Sequence, residues 1–274
     1  MTVAIVVANF NTGRLIAQLV FSLYRLLGRD QFTELVVVDN ASSDGSRELL
    51  DALHRAGLIH LIQNRTQRYH GPALTQGVSW LAGARPGVDY VWVLDSDVVV
   101  LRADTVRDAL AAARRHDAAL VGQKLGDDAY NGLLRNNPEM LNPCSLLFDP
   151  NRVWREPIPP FLEDGAPATA LQVAADAEGL RLVDFPFVQA EYLVHLGRGT
   201  LREIARTGDA ANRYYEWALD HQEPHFGGHE RGADLYRAFC DRFESELGEL
   251  TPQNLVDAIR RGAAAEAAAP AIQP

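Results

Sequence analysis

Two aspartates one residue apart, Asp95-Ser96-Asp97, interrupt an apolar run that starts at Tyr90 and resumes as Val98-Val99-Val100. Carboxylates this close, at the end of a buried strand, repel each other and lose hydration. A divalent cation offsets both costs, and hard oxygen donors of this kind suit Mg²⁺ or Mn²⁺. The same residues would be simply solvated if the strand end emerged into water. What gives the pair weight is the set of polar residues before it. Asn9 and Asn11 follow the first apolar run, Asp39 the second and Asn64 the third. In an open parallel sheet those positions share the carboxyl edge, where ligands bind. Asn11, Ser42 and Ser43 read as ordinary turn caps. Asp39 differs, because the turn after it, Asn40-Ala41-Ser42-Ser43-Asp44-Gly45, already has cap candidates of its own.

The elements that must position these residues alternate strongly. Strands are expected over 3–8, 35–38, 58–62 and 90–94, and helices over 12–27, 44–56 and 72–84. Strands apolar throughout and separated by helices imply a parallel sheet covered on both faces. The fold class is therefore α/β, with a doubly wound, mostly parallel sheet. After Asp97 the pattern loosens. Helices are expected at 105–115, 168–177, 200–219 and 235–247, and short strands at 118–122, 145–148, 180–187 and 192–196. The economical division is one domain over 1–262, made of a ligand-binding half (1–101), a second half (102–198) and a helical extension (199–262). Residues 263–274, rich in alanine and closing with proline, read as a disordered tail.

Composition narrows the function classes. The 274 residues carry 36 acids against 26 Lys and Arg, a net charge of -10, which argues against a nucleic-acid surface and a polybasic membrane anchor. Cys144 and Cys240 are far apart and in no metal-ligand spacing, so neither a disulfide framework nor a zinc motif is implied, and a cytoplasmic setting is expected. The start of the chain reads as a strand rather than a secretory leader, and the 15–27 apolar stretch is too short for a bilayer.

A dinucleotide-binding dehydrogenase would also place an acid after its second strand, but it needs a G-x-G-x-x-G turn after the first. Here that turn is Asn9-Phe10-Asn11-Thr12-Gly13-Arg14, with one glycine. The residues instead resemble the nucleotide-sugar-binding half of family 2 glycosyltransferases with the GT-A fold. The resemblance rests on residues 3–11, on Val36-Val37-Val38-Asp39-Asn40-Ala41-Ser42-Ser43-Asp44-Gly45-Ser46, and on Leu94-Asp95-Ser96-Asp97. It implies a donor site of Ala8, Asn9, Asn11, Asp39, Asn64, His70, Gly71, Asp95, Ser96 and Asp97. Within that site, Asp39 and Asn64 would lie near the nucleoside, and Asp95 and Asp97 near the ribose and the metal. The chain departs from the family at the third helix. Where many members have Ala-Arg-Asn-x-Gly, it has His70-Gly71-Pro72-Ala73-Leu74-Thr75-Gln76-Gly77, so the sugar contacts of that helix do not carry over. Arg65, Arg68 and His70 could reach phosphates instead.

The resemblance also implies metal-dependent, inverting sugar transfer from a nucleoside-diphosphate sugar, with a UDP-sugar as donor and an unidentified acceptor hydroxyl. The general base of similar enzymes lies in a Glu-Asp pair opening a helix, which maps onto Glu163-Asp164, with Asp164 the base; an N-cap role is the other reading. A histidine late in the chain completes the metal shell in some relatives, which maps onto His195 beside Asp95 and Asp97; a buried core histidine is the alternative. A homodimer through the C-terminal helices is a further expectation. His221, His225 and His229 recur at intervals of four, but Pro224 and Gly227-Gly228 break any helix that would align them. Trp154, beside a proline-rich loop, could stack on a sugar. Two rival readings remain at this point. Asp95-Ser96-Asp97-Val98-Val99 also fits the nucleophile motif of haloacid-dehalogenase-like phosphatases, with Lys124 and Gly126-Asp127-Asp128 as later motifs. A nucleotide-sugar-binding protein without catalysis would use the same edge.

Overall fold

The computed structural model describes residues 1–124, 140–162, 167–197 and 230–268. Strands β1 (Val3–Asn9), β2 (Glu34–Asp39), β3 (His60–Gln63) and β4 (Tyr90–Asp95) pair in parallel, in the order β3-β2-β1-β4. The chain thus runs outward from β1 through β2 to β3, then returns to β4 on the other side of β1. That reversal creates a crevice at the carboxyl ends of the central strands. Beyond β4 the sheet continues with β7 (Leu141–Phe148), β6 (Leu120–Lys124) and β8 (Leu182–Asp184), and β7 runs antiparallel to both of its neighbours. A separate antiparallel pair joins β5 (Val98–Val100) to β9 (Leu193–His195).

Both faces of the sheet are covered, which explains strands without polar alternation. Val3, Ile5, Val7, Trp92 and Leu94 face a layer built from α1 (Gly13–Ser22), α2 (Ser46–Arg55), α4 (Thr105–Arg115), α7 (Glu230–Leu247) and α8 (Pro252–Ala268). Ala4, Val6, Val91 and Val93 face α3 (His70–Ala84), α5 (Pro150–Val153) and α6 (Thr169–Ala177). Helix α3 lies unusually close to the strands: a Cβ on Gly77 would come within 2.5 Å of Val6 Cγ1.

The structure departs from expectation in several places. Strand β3 starts at His60, not at 58, and the 180–187 strand contracts to β8. Pro186 has no N–H for a sheet ladder, and Phe185 N donates instead to Gly122 O at 2.7 Å. The expected tail is corrected too, because α8 continues through Ala268 and includes 263–268. An Ala-Ala-Ala-Glu-Ala-Ala run has close to the best helix propensity available, so it extends a helix already nucleated at Pro252. Its start signal was present in the sequence: Pro252 at the first helical position, after Thr251, whose Oγ1 accepts from Asn254 N at 3.1 Å. The apolar sides of α7 and α8 are engaged within the chain, where Phe239 and Phe243 pack edge-on against Phe21 of α1. Among the described residues no helix is long and apolar enough to cross a membrane. The helix expected at 200–219 lies outside them.

Candidate active site

Strand β4 ends at Asp95 and β5 begins at Val98, which leaves Ser96 and Asp97 in the turn between them. Strand β9 docks antiparallel on β5 with His195 opposite Val98, and Leu196 N donates to Asp97 O at 3.1 Å. That pairing carries His195 across the chain to the acids. Its Nε2 stands 3.4 Å from Asp95 Oδ2 and 3.3 Å from Asp97 Oδ1. One ligand atom from each of the three residues lies within 4.8 Å of the others. Asp95 Oδ1 is buried and accepts no hydrogen bond, although His70 Nε2 is 3.3 Å away. Two carboxylates, one imidazole and an unsatisfied buried oxygen fit Mn²⁺ or Mg²⁺.

The electrostatics of the cluster are consistent. Burial disfavours the Asp95 carboxylate, but His70 and His195 outweigh it and hold its pKa below the usual value. Burial likewise disfavours protonated His195, yet the Asp97 and Asp95 carboxylates outweigh it and raise the imidazole well above its ordinary range. Cys144 enters this environment through β7. That strand pairs Ser145 with Leu94, so one further step of the antiparallel register sets Cys144 beside Asp95. Its thiol is pushed up by burial, against the opposing pull of His195.

The remaining edge residues form a mutually bonded shell. Asn9 is fully buried; its Nδ2 donates to Asp39 Oδ1 at 3.0 Å and to Ser42 Oγ at 3.1 Å. Thr12 Oγ1 donates to Asn9 Oδ1 at 2.6 Å and lies 3.0 Å from Ser96 Oγ, linking this shell to the acid turn. Asn11, at φ 52°, accepts from Ser43 N at 2.7 Å and donates its own N–H to Ser42 Oγ, which is turn chemistry. Ala8 lies in β1 between Val38 and Asp95. Asp39 is 0% exposed: besides Asn9, its carboxylate accepts from Ser42 N at 3.3 Å, and Arg47 Nε is 3.9 Å away. From this position it braces the turn. Asn64 is also buried and donates to Asn40 Oδ1 at 3.2 Å.

Gly71 has a packing reason to be glycine. A Cβ there would fall 1.9 Å from Leu162 O, and Thr75 Oγ1 donates to Phe161 O at 2.9 Å, so α3 begins directly against segment 161–162. Leu162 N in turn donates to Pro167 O at 3.1 Å. Glu163 and Asp164 lie between those two residues and outside the described ones, as do Arg198, His221, His225, His229, Gly126, Asp127 and Asp128. Trp154 packs between Phe148 and Phe161, which gives it a core role. Sequence reasoning missed Thr12, Asn40 and Cys144. Asn40 alone had a local signal, since it follows Asp39 directly at the same strand end; the others depend on partners distant in the chain.

The glycosyl transferase family 2 model matches residues 4–172. Among curated proteins, none matches the sequence. The fold resembles the mannosyltransferase PcManGT from Pyrobaculum calidifontis in complex with GDP-Man and Mn²⁺: 19% identity, 98% of this chain, 76% of that one, TM-score 0.56. It also resembles S. aureus TarS 1-349 in complex with UDP, at 16% identity, 89% and 72% coverage and TM-score 0.52. A third likeness is glucosyl-3-phosphoglycerate synthase from Mycobacterium tuberculosis with phosphoglyceric acid, at 18% identity, 76% and 80% coverage and TM-score 0.50. The chain spans 44% of a longer TarS chain and 52% of the TarS 1-349 chain in complex with UDP-GlcNAc. A family match across more than half of the sequence, on a mostly parallel seven-stranded sheet with the acid pair at its carboxyl edge, places the chain in glycosyl transferase family 2, a family of glycosyltransferases, with the GT-A fold.

Proposed function

We propose that this protein is a metal-dependent, inverting glycosyltransferase that moves a sugar from a nucleoside-diphosphate sugar, a UDP-sugar, to an acceptor hydroxyl. The observation that carries the reading is the Asp95-Asp97-His195 cluster with its unsatisfied buried oxygen. Those three residues would hold Mn²⁺ or Mg²⁺, which when bound supplies Lewis-acid stabilisation of charge on the departing diphosphate. Complexes of similar folds with GDP-Man and Mn²⁺ and with UDP support the donor class. His70, half-exposed beside Asp95, offers a donor to a phosphate oxygen at the rim. Asp164, with Glu163 beside it, is the proposed general base. The acceptor oxygen attacks the anomeric carbon as its proton passes to the Asp164 carboxylate and the nucleoside diphosphate leaves. This assignment is supported by Leu162, the residue before Glu163, whose backbone lies close against Gly71, next to His70.

The test is calorimetric titration of UDP with and without Mn²⁺, followed by sugar release from UDP-sugars. UDP binding should require the cation in the native protein and be lost in Asp97→Asn. Asp164→Asn should keep UDP binding and lose turnover. UDP affinity that is indifferent to Mn²⁺ would sink the proposal.

A further inference from the structure

Thr12 is fully buried immediately before α1, bonded both to Asn9 and to the turn that carries the two aspartates. Its surroundings fix the direction of each hydrogen bond its hydroxyl makes. Asp39, as a carboxylate, can only accept, and Asn9 Nδ2 donates to it at 3.0 Å and to Ser42 Oγ at 3.1 Å. The Asn9 amide is thereby oriented with Oδ1 toward Thr12, whose single hydroxyl proton it takes at 2.6 Å. Toward Ser96 Oγ, 3.0 Å away, Thr12 Oγ1 has only a lone pair to offer. The Ser96 hydroxyl must therefore be the donor. The result is one chain, Ser96 to Thr12 to Asn9 to Asp39, in which every donor faces the buried acid at the end of β2.

Ser96 is the residue between Asp95 and Asp97, so whatever holds its side chain also holds the spacing of the two acids. The turn is tied once through its backbone, where Leu196 N donates to Asp97 O at 3.1 Å. The hydroxyl chain ties it a second time, to the end of β1 and the start of α1. Two carboxylates with no cation between them repel, and a turn free to swing would let them part. We propose that Thr12 is a positioning residue of the metal site: acting through the Ser96 hydroxyl, it keeps Asp95 and Asp97 at the separation a divalent cation requires. This rests on the metal-site reading above. Partners that orient a ligand without touching the ion commonly contribute about ten- to a hundredfold to metal affinity.

The experiment titrates Mn²⁺ alone into native protein, Thr12→Val, Thr12→Ser, Ser96→Ala and the variant combining Thr12→Val with Ser96→Ala. Bound ion is read from the loss of the free Mn²⁺ electron paramagnetic resonance signal, and melting temperature is recorded in chelator. Thr12→Val keeps the side-chain volume but removes the hydroxyl, and should weaken Mn²⁺ by about tenfold or more. Thr12→Ser retains the hydroxyl and should stay within about threefold of native. Ser96→Ala cuts the same bond from its other end and should match Thr12→Val, with the double variant within about twofold of either. Native Mn²⁺ affinity in Thr12→Val, whatever its melting temperature, overturns the positioning role while leaving the metal-site reading intact. Equal loss in Thr12→Ser and Thr12→Val marks packing and overturns it too, as does a double variant that loses the product of the two single losses. If Thr12→Val does not fold, Ser96→Ala decides, and a Mn²⁺ affinity within about twofold of native overturns the role. Native protein that binds no Mn²⁺ overturns the metal-site reading, and the role of Thr12 with it.

Discussion

Replacing His195 with alanine should destabilise the metal-free protein, and do so in a pH-dependent way. The imidazole lies 3.4 Å from one buried carboxylate and 3.3 Å from the other, and all three side chains are less than a quarter exposed. At an effective dielectric near 20, a charge pair at such a distance is worth about 5 kcal/mol before desolvation. Desolvation removes much of that as net stability. Removal of one partner, however, leaves the others uncompensated, and typically costs about 3–5 kcal/mol. For a chain of this size that is a fall of roughly 10 °C in melting temperature. The sign of the pH effect follows from His195 being raised in the folded state. Its contribution is complete below the unfolded value, about 6.5, and is lost as pH climbs through the higher folded value. The gap between native and His195→Ala protein should therefore be widest near pH 6 and close toward alkaline pH. The assay is thermal unfolding in chelator at intervals from about pH 6 to pH 9. A variant melting within about 2 °C of the native protein at pH 6 would show that no imidazolium holds the two acids, and the description of the cluster would be wrong.

Two further outcomes follow from named contacts. Mn²⁺ binding should tighten as pH rises and expel about one proton at neutral pH, because the cation replaces the His195 proton; calorimetry in buffers of different ionisation enthalpy measures that proton, and a pH-independent affinity would contradict it. Gly71→Ala should cost about 1–3 kcal/mol and reduce kcat further than stability alone explains, since its Cβ meets the Leu162 backbone at 1.9 Å and only movement of segment 161–162 relieves the clash; kcat and Tm of the variant, measured together, decide it.

The parallel half of the sheet was legible because its information is local. Each of β1, β2 and β4 is an apolar run with a polar residue at its end, and a helix follows β1, β2 and β3, so the edge that collects Asn9, Asp39, Asn64 and Asp95 follows from connectivity. The antiparallel entry of β7 was not legible. Its apolar stretch near 145–148 is short, and its partner β4 lies about fifty residues earlier, so nothing in the local pattern specifies pairing or register. Cys144 was missed for that reason. His195 was reachable only through family resemblance, because the β5–β9 pairing that brings it to the acids joins segments far apart in sequence. Asp39 shows the opposite limit. Its position at the edge was clear, but whether its carboxylate faces ligand or turn depends on the Asn9 side chain and the Ser42 backbone N–H, which both donate to it.

The distribution of hydrogen bonds along the edge explains why the chain uses so many amides there. An Asn side chain both donates and accepts, so Asn9, Asn40 and Asn64 saturate their neighbours without bringing further charge into a buried layer. A shell built from carboxylates would have raised the repulsion around Asp95 and Asp97 and required more counter-charge. With the amides in place, nearly every acceptor at the edge is satisfied from within the protein. Among the described residues, the one carboxylate oxygen that is buried without a hydrogen bond is Asp95 Oδ1. An unmet acceptor there destabilises the metal-free state by an amount of order 1–3 kcal/mol, more for a charged group, and that is recovered when a ligand supplies the positive charge. The neutral shell therefore concentrates the site's unfulfilled electrostatics at one oxygen, directly beside His70, on the carboxylate whose other oxygen meets His195.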